Sequence, residues 1–135
     1  WSYSEAKYEH KAFQYWGPKE MLAVPLSTYR YIQSYNEDWG YQWNYEYVSK
    51  AIIVNVDEAT GNMSIHGEVN HSSLLNQEEE NYWWGGNENI RRTIFMGDFI
   101  YAFSGAGITA HNLTTMELSD VVVFDFTQTG FPYYN

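Results

Sequence analysis

Apolar residues along this chain fall in short segments separated by turn residues, and no long amphipathic helical pattern competes with them. Short apolar runs bounded by Gly, Pro, Asn or Asp are typical of all-β proteins. Four runs in the N-terminal half predict strands, at residues 12–16, 21–26, 50–56 and 63–69. Pro25 cannot donate a backbone hydrogen bond, so we expect it near an edge or a bulge. Residues 57–62 predict a hairpin turn, in which Gly61 supplies the positive φ that such a loop needs.

The C-terminal half repeats this pattern after a polar connection at residues 70–89, within which residues 74–80 are compatible with a helical turn or two. Four further strands are predicted, at residues 90–96, 99–104, 108–111 and 118–126. Four-stranded antiparallel units repeated in series are the blades of a propeller. The sequence therefore predicts an all-β fold made of two four-stranded antiparallel blades of a β-propeller.

An aromatic segment lies between the second and third predicted strands. Trp or Tyr occupies every odd position from 39 to 47, and Gly, Gln, Asn and Glu occupy the even positions. Side chains alternate across a strand, so these rings would share one face. With residues 36–38 as a turn, the segment predicts an inserted aromatic β-hairpin at about residues 28–48. Its candidate binding residues are Trp39, Tyr41, Trp43, Tyr45 and Tyr47.

Two interpretations of this hairpin remain open. Aromatic faces of sheets are usually buried, so the rings could pack on the propeller itself or extend a blade. Alternatively, the face is a contact surface, since Tyr and Trp bury large areas at low entropic cost and suit protein interfaces. Stacked rings would also suit sugar planes, which makes polysaccharide a possible second partner.

Composition and charge narrow the class of partner. Of the 135 residues, 19% are aromatic and 44% are apolar, which favours a sheet-rich core over disorder. The formal net charge of −10 would repel a phosphate backbone, so we expect no nucleic-acid partner. No apolar run approaches the roughly 20 residues that span a bilayer, so we expect no membrane insertion.

The residues that usually carry chemistry form no recognisable site. The chain has no cysteine, which excludes disulfides and a thiol nucleophile. Convergence of His10, His66 and His71 would make a metal site conceivable, but their spacing matches no established pattern. Residues 57–62 lack the ordered acidic spacing of a calcium loop, and the acids at 78–80 suggest a solvated surface. We therefore expect no metal, no cofactor and no enzymatic activity.

Three N-x-S/T sequons occur in the chain. They begin at Asn62, Asn70 and Asn112, each at a predicted turn or strand end. A glycan would be accessible at such positions, so all three are possible N-glycosylation sites.

A resemblance to a known family adds to this pattern. Residues 10–13, 21–26 and 51–68 contribute to it, and residues 90–108 contribute the most, with the segment IRRTIFMGDFIYAFSGAGI. Together they resemble the last two blades of secreted proteins with a C-terminal β-propeller domain, which are distantly related to WD-type propellers. The resemblance implies an exported or cell-surface protein and carries over no active-site residues.

The strand pattern and the resemblance together predict two consecutive blades. Residues 1–82 form the penultimate blade with its hairpin, and residues 83–135 form the final blade. A blade buries both faces against neighbours, so we expect two exposed apolar faces to need cover from the remainder of a propeller or from other chains. The expected function is protein–protein recognition or assembly at an extracellular or cell-surface location, with carbohydrate binding as the alternative.

Overall fold

The computed structural model describes residues 2–72, 74 and 88–124, which form two antiparallel sheets. Sheet 1 contains β1 (Ser2–Tyr3), β2 (Gln14–Trp16), β3 (Met21–Asn36), β4 (Gly40–Val56) and β5 (Met63–Asn70). Sheet 2 contains β6 (Arg92–Met96), β7 (Phe99–Phe103), β8 (Gly107–Asn112) and β9 (Leu118–Val123). Three single 3-10 turns precede β3, at Glu5–Lys7, His10–Ala12 and Gly17–Lys19. Among the described residues, no helix has the length and apolar character to cross a bilayer.

Sheet 1 has the order β1-β3-β4-β5, with β2 also paired to β3. The first predicted strand is shorter than expected, because a 3-10 turn ends at Ala12 and the strand begins only at Gln14. The Glu9 carboxylate caps this turn by accepting the Lys11 amide at 3.1 Å. The sequence pattern did not predict β1, whose two residues are too few to show an alternation.

Pro25 lies at an edge position, as its missing donor predicts. β2 pairs with β3 as far as Ala23, and β1 pairs with β3 from Ser27 onward. Pro25 falls in the gap between them, and its carbonyl accepts a hydrogen bond from Ser4 Oγ at 2.5 Å. In an antiparallel strand, the nitrogen and the carbonyl of one residue face the same neighbour. The nitrogen of Pro25 therefore also faces this gap, and its missing N–H removes no hydrogen bond of the sheet.

The hairpin between β4 and β5 is confirmed. The Asp57 carboxylate accepts the amides of Ala59 at 2.9 Å and Thr60 at 3.1 Å, and Gly61 has a φ of 74°. A hydrogen bond from the Thr60 side chain, together with these backbone amides, favours the charged form and lowers the pKa of Asp57. A bulge then follows at His66, where the register shifts opposite Ile53 and Val54.

Sheet 2 is a four-stranded meander in the order β6-β7-β8-β9. β6 and β7 are joined by a two-residue turn in which Gly97 has a φ of 60°. Asn112 organises the turn after β8, because its side-chain oxygen accepts the amides of Thr114 at 2.8 Å and Thr115 at 3.2 Å. The predicted last strand is confirmed from Leu118 to Val123, and its predicted end at residues 125–126 lies outside the described residues.

The hydrophobic core lies between the two sheets. Its buried members come from both of them: Ala23, Ala51, Ile53 and Val69 from sheet 1, with Ile90, Ile100, Ala102 and Leu113 from sheet 2 and its adjoining loops. The rings of Trp16 and Phe95 pack against one side of this core, and their centroids are 5.5 Å apart. At Gly67 an added Cβ would lie 2.5 Å from Met116 Cγ, so a glycine permits the close approach of the sheets.

Polar contacts connect the same two sheets around this core. Ser49 Oγ accepts the Ile90 amide at 3.0 Å, and Ser27 Oγ donates to Asn89 Oδ1 at 2.6 Å. Lys19 pairs with Asp98 at 2.9 Å on the surface, where an ion pair contributes little. The two sheets therefore pack as adjacent blades. The predicted boundary between residues 82 and 83 lies outside the described residues.

Each blade has a second face that points away from the shared core. On sheet 2 every strand contributes apolar residues to this face, and Arg92, Asn112 and Asp120 lie at its margins by register. The apolar residues are Ile94, Met96, Phe99, Tyr101, Phe103, Ile108, Ala110 and Val122. On sheet 1 the corresponding row joins Tyr15, Leu22, Val54 and Ile65 across four strands. Ile65 and Met96 are 75% and 58% exposed, so both outward faces retain apolar surface in contact with solvent.

Candidate functional site

The candidate site is the distal part of the β3–β4 hairpin, residues 29–47, which we call the aromatic arm. Its strands pair from Tyr29 opposite Tyr47 to Asn36 opposite Gly40. In the described residues, β1 pairs with β3 only as far as Thr28, and β5 pairs with β4 only from Lys50. The arm is thus a two-stranded ribbon that continues β3 and β4 beyond the blade. The predicted hairpin is confirmed, although it prolongs two blade strands rather than forming a separate insertion.

A three-residue turn closes the arm. The Asn36 side chain accepts the Asp38 amide at 2.8 Å, and Gly40 follows with a φ of 71°. Three-residue hairpin loops commonly end in such a left-handed residue. Trp39 therefore lies in the turn and not in β4, so its predicted place on the strand face is not observed. Its residue surface is 78% exposed, more than that of any other aromatic residue of the arm whose side chain the structure describes.

The rings of the arm share one face, as the alternation predicts. We define the aromatic face as the odd-numbered strand positions Tyr29, Tyr31, Gln33, Tyr35, Tyr41, Trp43 and Tyr47. Tyr45 occupies the corresponding register position opposite Tyr31. The spacing of Tyr29, Tyr31 and Tyr35 in the sequence already predicts that they share one side of their strand. The register places them on the same face as the rings of β4, so they join the candidate residues.

Ring contacts across the ribbon are tilted rather than flat. Tyr35 and Tyr41 meet at 5.2 Å with an interplanar angle of 65°, and Tyr29 and Tyr47 meet at 5.1 Å and 55°. Tyr31 contacts Trp43 edge-on, at 6.5 Å and 82°. Edge-to-face pairs are the geometry that aromatic quadrupoles prefer. The aromatic face is consequently corrugated, with ring edges standing beside ring faces.

Charges are confined to the other face of the arm and to its turn. Arg30 pairs with Glu46 directly across the strands, and this carboxylate raises the pKa of Arg30. The amide of Asn44 donates to Ser34 Oγ at 3.2 Å on the same side. Glu37 and Asp38 lie in the turn, and the odd strand positions that form the aromatic face carry no charged residue.

The base of the arm joins the shared core. Ser27 and Ser49 are buried at the last positions before the arm, on the face that packs on sheet 2. The aromatic face is the continuation of that buried face, since the odd numbering is unbroken along both strands. Exposure then rises toward the turn: Tyr47 is half-buried, and burial raises its pKa, whereas Tyr41 is 70% exposed.

Comparison with known families now classifies this architecture. The family described as Beta propeller domain matches residues 1–116. The chain belongs to the β-propeller domain family. No curated protein and no solved structure matches the chain. The predicted propeller fold is confirmed by this match and by the two antiparallel sheets.

The three histidines of this propeller that were weighed as metal ligands occupy separate places. His10 is exposed, whereas His66 Nε2 donates to the Leu113 carbonyl at 2.5 Å and joins the two blades. His71 is fully buried, with Nε2 2.8 Å from Thr109 Oγ1 of the neighbouring blade. Within residues 2–72, 74 and 88–124, no group of three or more His, Cys, Asp or Glu could hold a metal ion.

The three sequons of the propeller differ in accessibility. Asn62 is exposed in the β4–β5 turn, and Asn70 is exposed at the end of β5, where its side chain accepts the Ser72 amide at 2.8 Å. Asn112 is half-buried, and its side chain is occupied in capping the β8–β9 turn. Asn62 is thus the sequon whose environment best suits an attached glycan.

Proposed function

We propose that this β-propeller module is a non-catalytic unit of protein–protein recognition or assembly, and that the aromatic arm is its docking surface. One observation carries the proposal: a ribbon of two strands projects beyond the blade and exposes an uncharged face of Tyr and Trp rings. Large exposed aromatic patches mark interaction sites in soluble proteins. Tyr and Trp are also the residues that most often dominate the energetics of protein interfaces.

The ring geometry favours a protein partner over a sugar. Sugar rings stack best on exposed, nearly coplanar ring faces, but neighbouring rings of the arm are inclined by 55–82°. A corrugated surface accommodates protruding side chains of another protein, since interfaces pack as closely as protein interiors.

Carbohydrate binding is the second candidate function, and the strong exposure of Trp39 and Trp43 favours it. These two indoles would report directly on a bound sugar. Titration with neutral polysaccharides should then change tryptophan fluorescence in a saturable manner. An unchanged spectrum would remove this candidate without affecting the protein-docking proposal.

The outward blade faces supply the second part of the proposal. The apolar rows that contain Ile94 and Ile65 have the same character as the buried rows between the blades. We propose that the remainder of a propeller or other protein chains cover them. An extracellular or cell-surface location belongs to the same proposal, on the strength of the resemblance of residues 90–108 to exported propeller proteins.

Site-specific photo-crosslinking tests the docking proposal. Benzoylphenylalanine at position 43 replaces a ring of the aromatic face, and the same group at position 42 lies on the opposite face. In the native source, we expect a protein adduct from position 43 and far less from position 42. Equal adducts from both positions, or none from position 43, would contradict protein recognition through the aromatic face.

A further inference from the structure

We infer that the partner of the aromatic arm is a second copy of this chain, and that two arms pack with their aromatic faces together around a two-fold axis. This inference rests on the proposed function, because it takes the aromatic face as a protein-docking surface. It goes further by assigning the occupant of that surface.

The exposed area of the face is sufficient for such a dimer. Five rings on it, those of Tyr29, Tyr31, Tyr35, Tyr41 and Trp43, are between 41 and 70% exposed. An aromatic side chain offers roughly 150–250 Å² for burial, so these rings supply about 450–750 Å² per copy. A pair of arms would bury at most about 900–1,500 Å², the upper part of which reaches the range of specific interfaces.

Charge placement also permits self-association. Each chain carries a formal charge of −10, which opposes the approach of two copies at long range. The arm keeps its own charges off the aromatic face, since Arg30 and Glu46 neutralise each other on the opposite face and the acidic Glu37 and Asp38 lie in the turn. Two aromatic faces can therefore meet without any like-charged pair between them, and added salt screens the remaining repulsion.

The shape of the face suits a two-fold contact. In a two-fold interface the same surface serves both partners, so it must complement itself. The edge-to-face pairs Tyr35–Tyr41 and Tyr31–Trp43 create alternating ridges and hollows along the ribbon. Gln33, the polar member among these rings, provides an amide that both donates and accepts and can pair with its own copy.

Stacking through the outward blade faces is the competing mode of self-association. It joins two different surfaces head to tail, so it generates rings or open chains rather than a closed pair. Met96 lies on the outward face of sheet 2, far along the chain from the arm, and is 58% exposed. A Met96→Ser variant therefore weakens blade stacking without altering the aromatic face.

Sedimentation equilibrium of the purified chain tests the inference. We expect a monomer–dimer equilibrium that shifts toward dimer with added salt. The double variant Tyr41→Ser, Trp43→Ser should raise the dissociation constant at least ~30-fold, the loss typical of removing one strong interface anchor. The matched variant Gln42→Ser, Asn44→Ser changes the opposite face of the same strand and should dimerise like the unaltered chain.

Protection of an introduced cysteine from maleimide gives a second measurement of dimer formation. It does not depend on how a variant changes the folding stability of the chain. The chain has no cysteine, so a single introduced thiol reports on one position. With Gln33→Cys on the aromatic face, the rate of maleimide labelling should fall as the dimer fraction rises. With Ser34→Cys on the opposite face, the rate should stay constant with concentration.

Three results would overturn the inference: a monomer at every concentration, a dimer that survives Tyr41→Ser, Trp43→Ser, or self-association that only Met96→Ser abolishes. The proposed function fails separately. An adduct from position 43 to a different protein would retain protein recognition while removing the second copy as its partner. An absent adduct from position 43 would remove both.

Discussion

His71 illustrates how a single buried side chain links the two blades. It is fully buried, its Nε2 lies 2.8 Å from Thr109 Oγ1, and its pKa is lowered to about 4. Burial is the main cause, because it penalises the charged imidazolium, and the nearby His111 adds to the shift. His111 is buried beside it, and burial lowers its pKa as well. The neutral imidazole is therefore the form that the blade interface accommodates.

The pKa of His71 predicts a loss of stability in mild acid. Above about pH 6.5, the imidazole is neutral in both folded and unfolded chains and contributes no pH dependence. Between pH 6.5 and about 4, the unfolded chain binds a proton that the folded chain does not, so the free energy of unfolding falls as pH falls. The full effect amounts to about 3 kcal/mol. The difference between the free energies of unfolding in urea at pH 7 and at pH 5 measures more than half of this expected loss.

A His71→Gln variant provides the control for this prediction. Glutamine retains a hydrogen-bonding group toward Thr109 but does not titrate. The variant should lose much less stability between pH 7 and pH 5 than the unaltered chain. An identical loss in both proteins would assign the acid sensitivity to another group that titrates in this range, such as His111, whose pKa burial also lowers.

Sequence reasoning identified the rings of the arm but not the role of this histidine. The period-two spacing of Tyr41, Trp43 and Tyr47 shows which face they share, whatever the rest of the molecule does. His71 follows the last residue of β5, where no alternation indicates its direction. Only the packing of β8 from the other blade decides that its ring is buried.

At the scale of elements, the aromatic arm is stable because it is continuous with sheet 1. A two-stranded hairpin alone is marginal in water. Here β3 and β4 run without interruption from the buried positions Ala23 and Ile53 into the arm. Cross-strand ring pairs contribute about 0.2–1 kcal/mol each to such a ribbon, and the turn at Gly40 sets its register.

The exposure of the arm predicts a clear contrast between its rings and the core. The double variant Tyr41→Ser, Trp43→Ser should change the free energy of unfolding by less than about 1 kcal/mol in dilute solution, because both rings are largely exposed. Ile53→Ala on the same strand should cost about 2–4 kcal/mol, since Ile53 is completely buried. Urea denaturation monitored by circular dichroism measures both. A large loss in the double variant would show that the rings belong to the core.

The pattern of strands was largely predictable, and its errors are local. Trp39 has the same spacing as the rings after it, but a three-residue turn with Gly40 in the left-handed region removes it from the strand. The strand predicted from Ala12 begins two residues later, because the Glu9 cap favours a 3-10 turn. Turn geometry depends on backbone dihedral angles that hydrophobic spacing does not encode.

On the scale of the whole molecule, the two blades form one cooperative unit, because neither closes a core by itself. Ile53 from sheet 1 and Ile100 from sheet 2 belong to the same buried cluster, and both are fully inaccessible to solvent. The hydrogen bonds of Ser49 and His66 cross the same interface. Small domains built around a single core usually unfold in one transition.

Because the core is shared, we expect a core substitution in one blade to destabilise the other blade as well. Ile100→Ala should cost about 2–4 kcal/mol and should accelerate amide hydrogen exchange in both sheets by similar factors. Ile53→Ala should produce the same distribution from the opposite side of the interface. Faster exchange restricted to the mutated sheet would show that the blades unfold independently.

Alternation and turn residues, acting locally along the chain, determined the strands, the hairpins and the aromatic face of this protein. Tertiary structure decided which parts of each face are buried and which are exposed to solvent. The odd positions of β3 and β4 pass from a buried row at Ala23 and Ala51 to an exposed row at Tyr41, although the alternation is the same throughout. The difference arises because sheet 2 covers only the first part of β3 and the last part of β4. Burial depends on contacts between residues distant in the sequence, and the spacing within one strand contains no information about them.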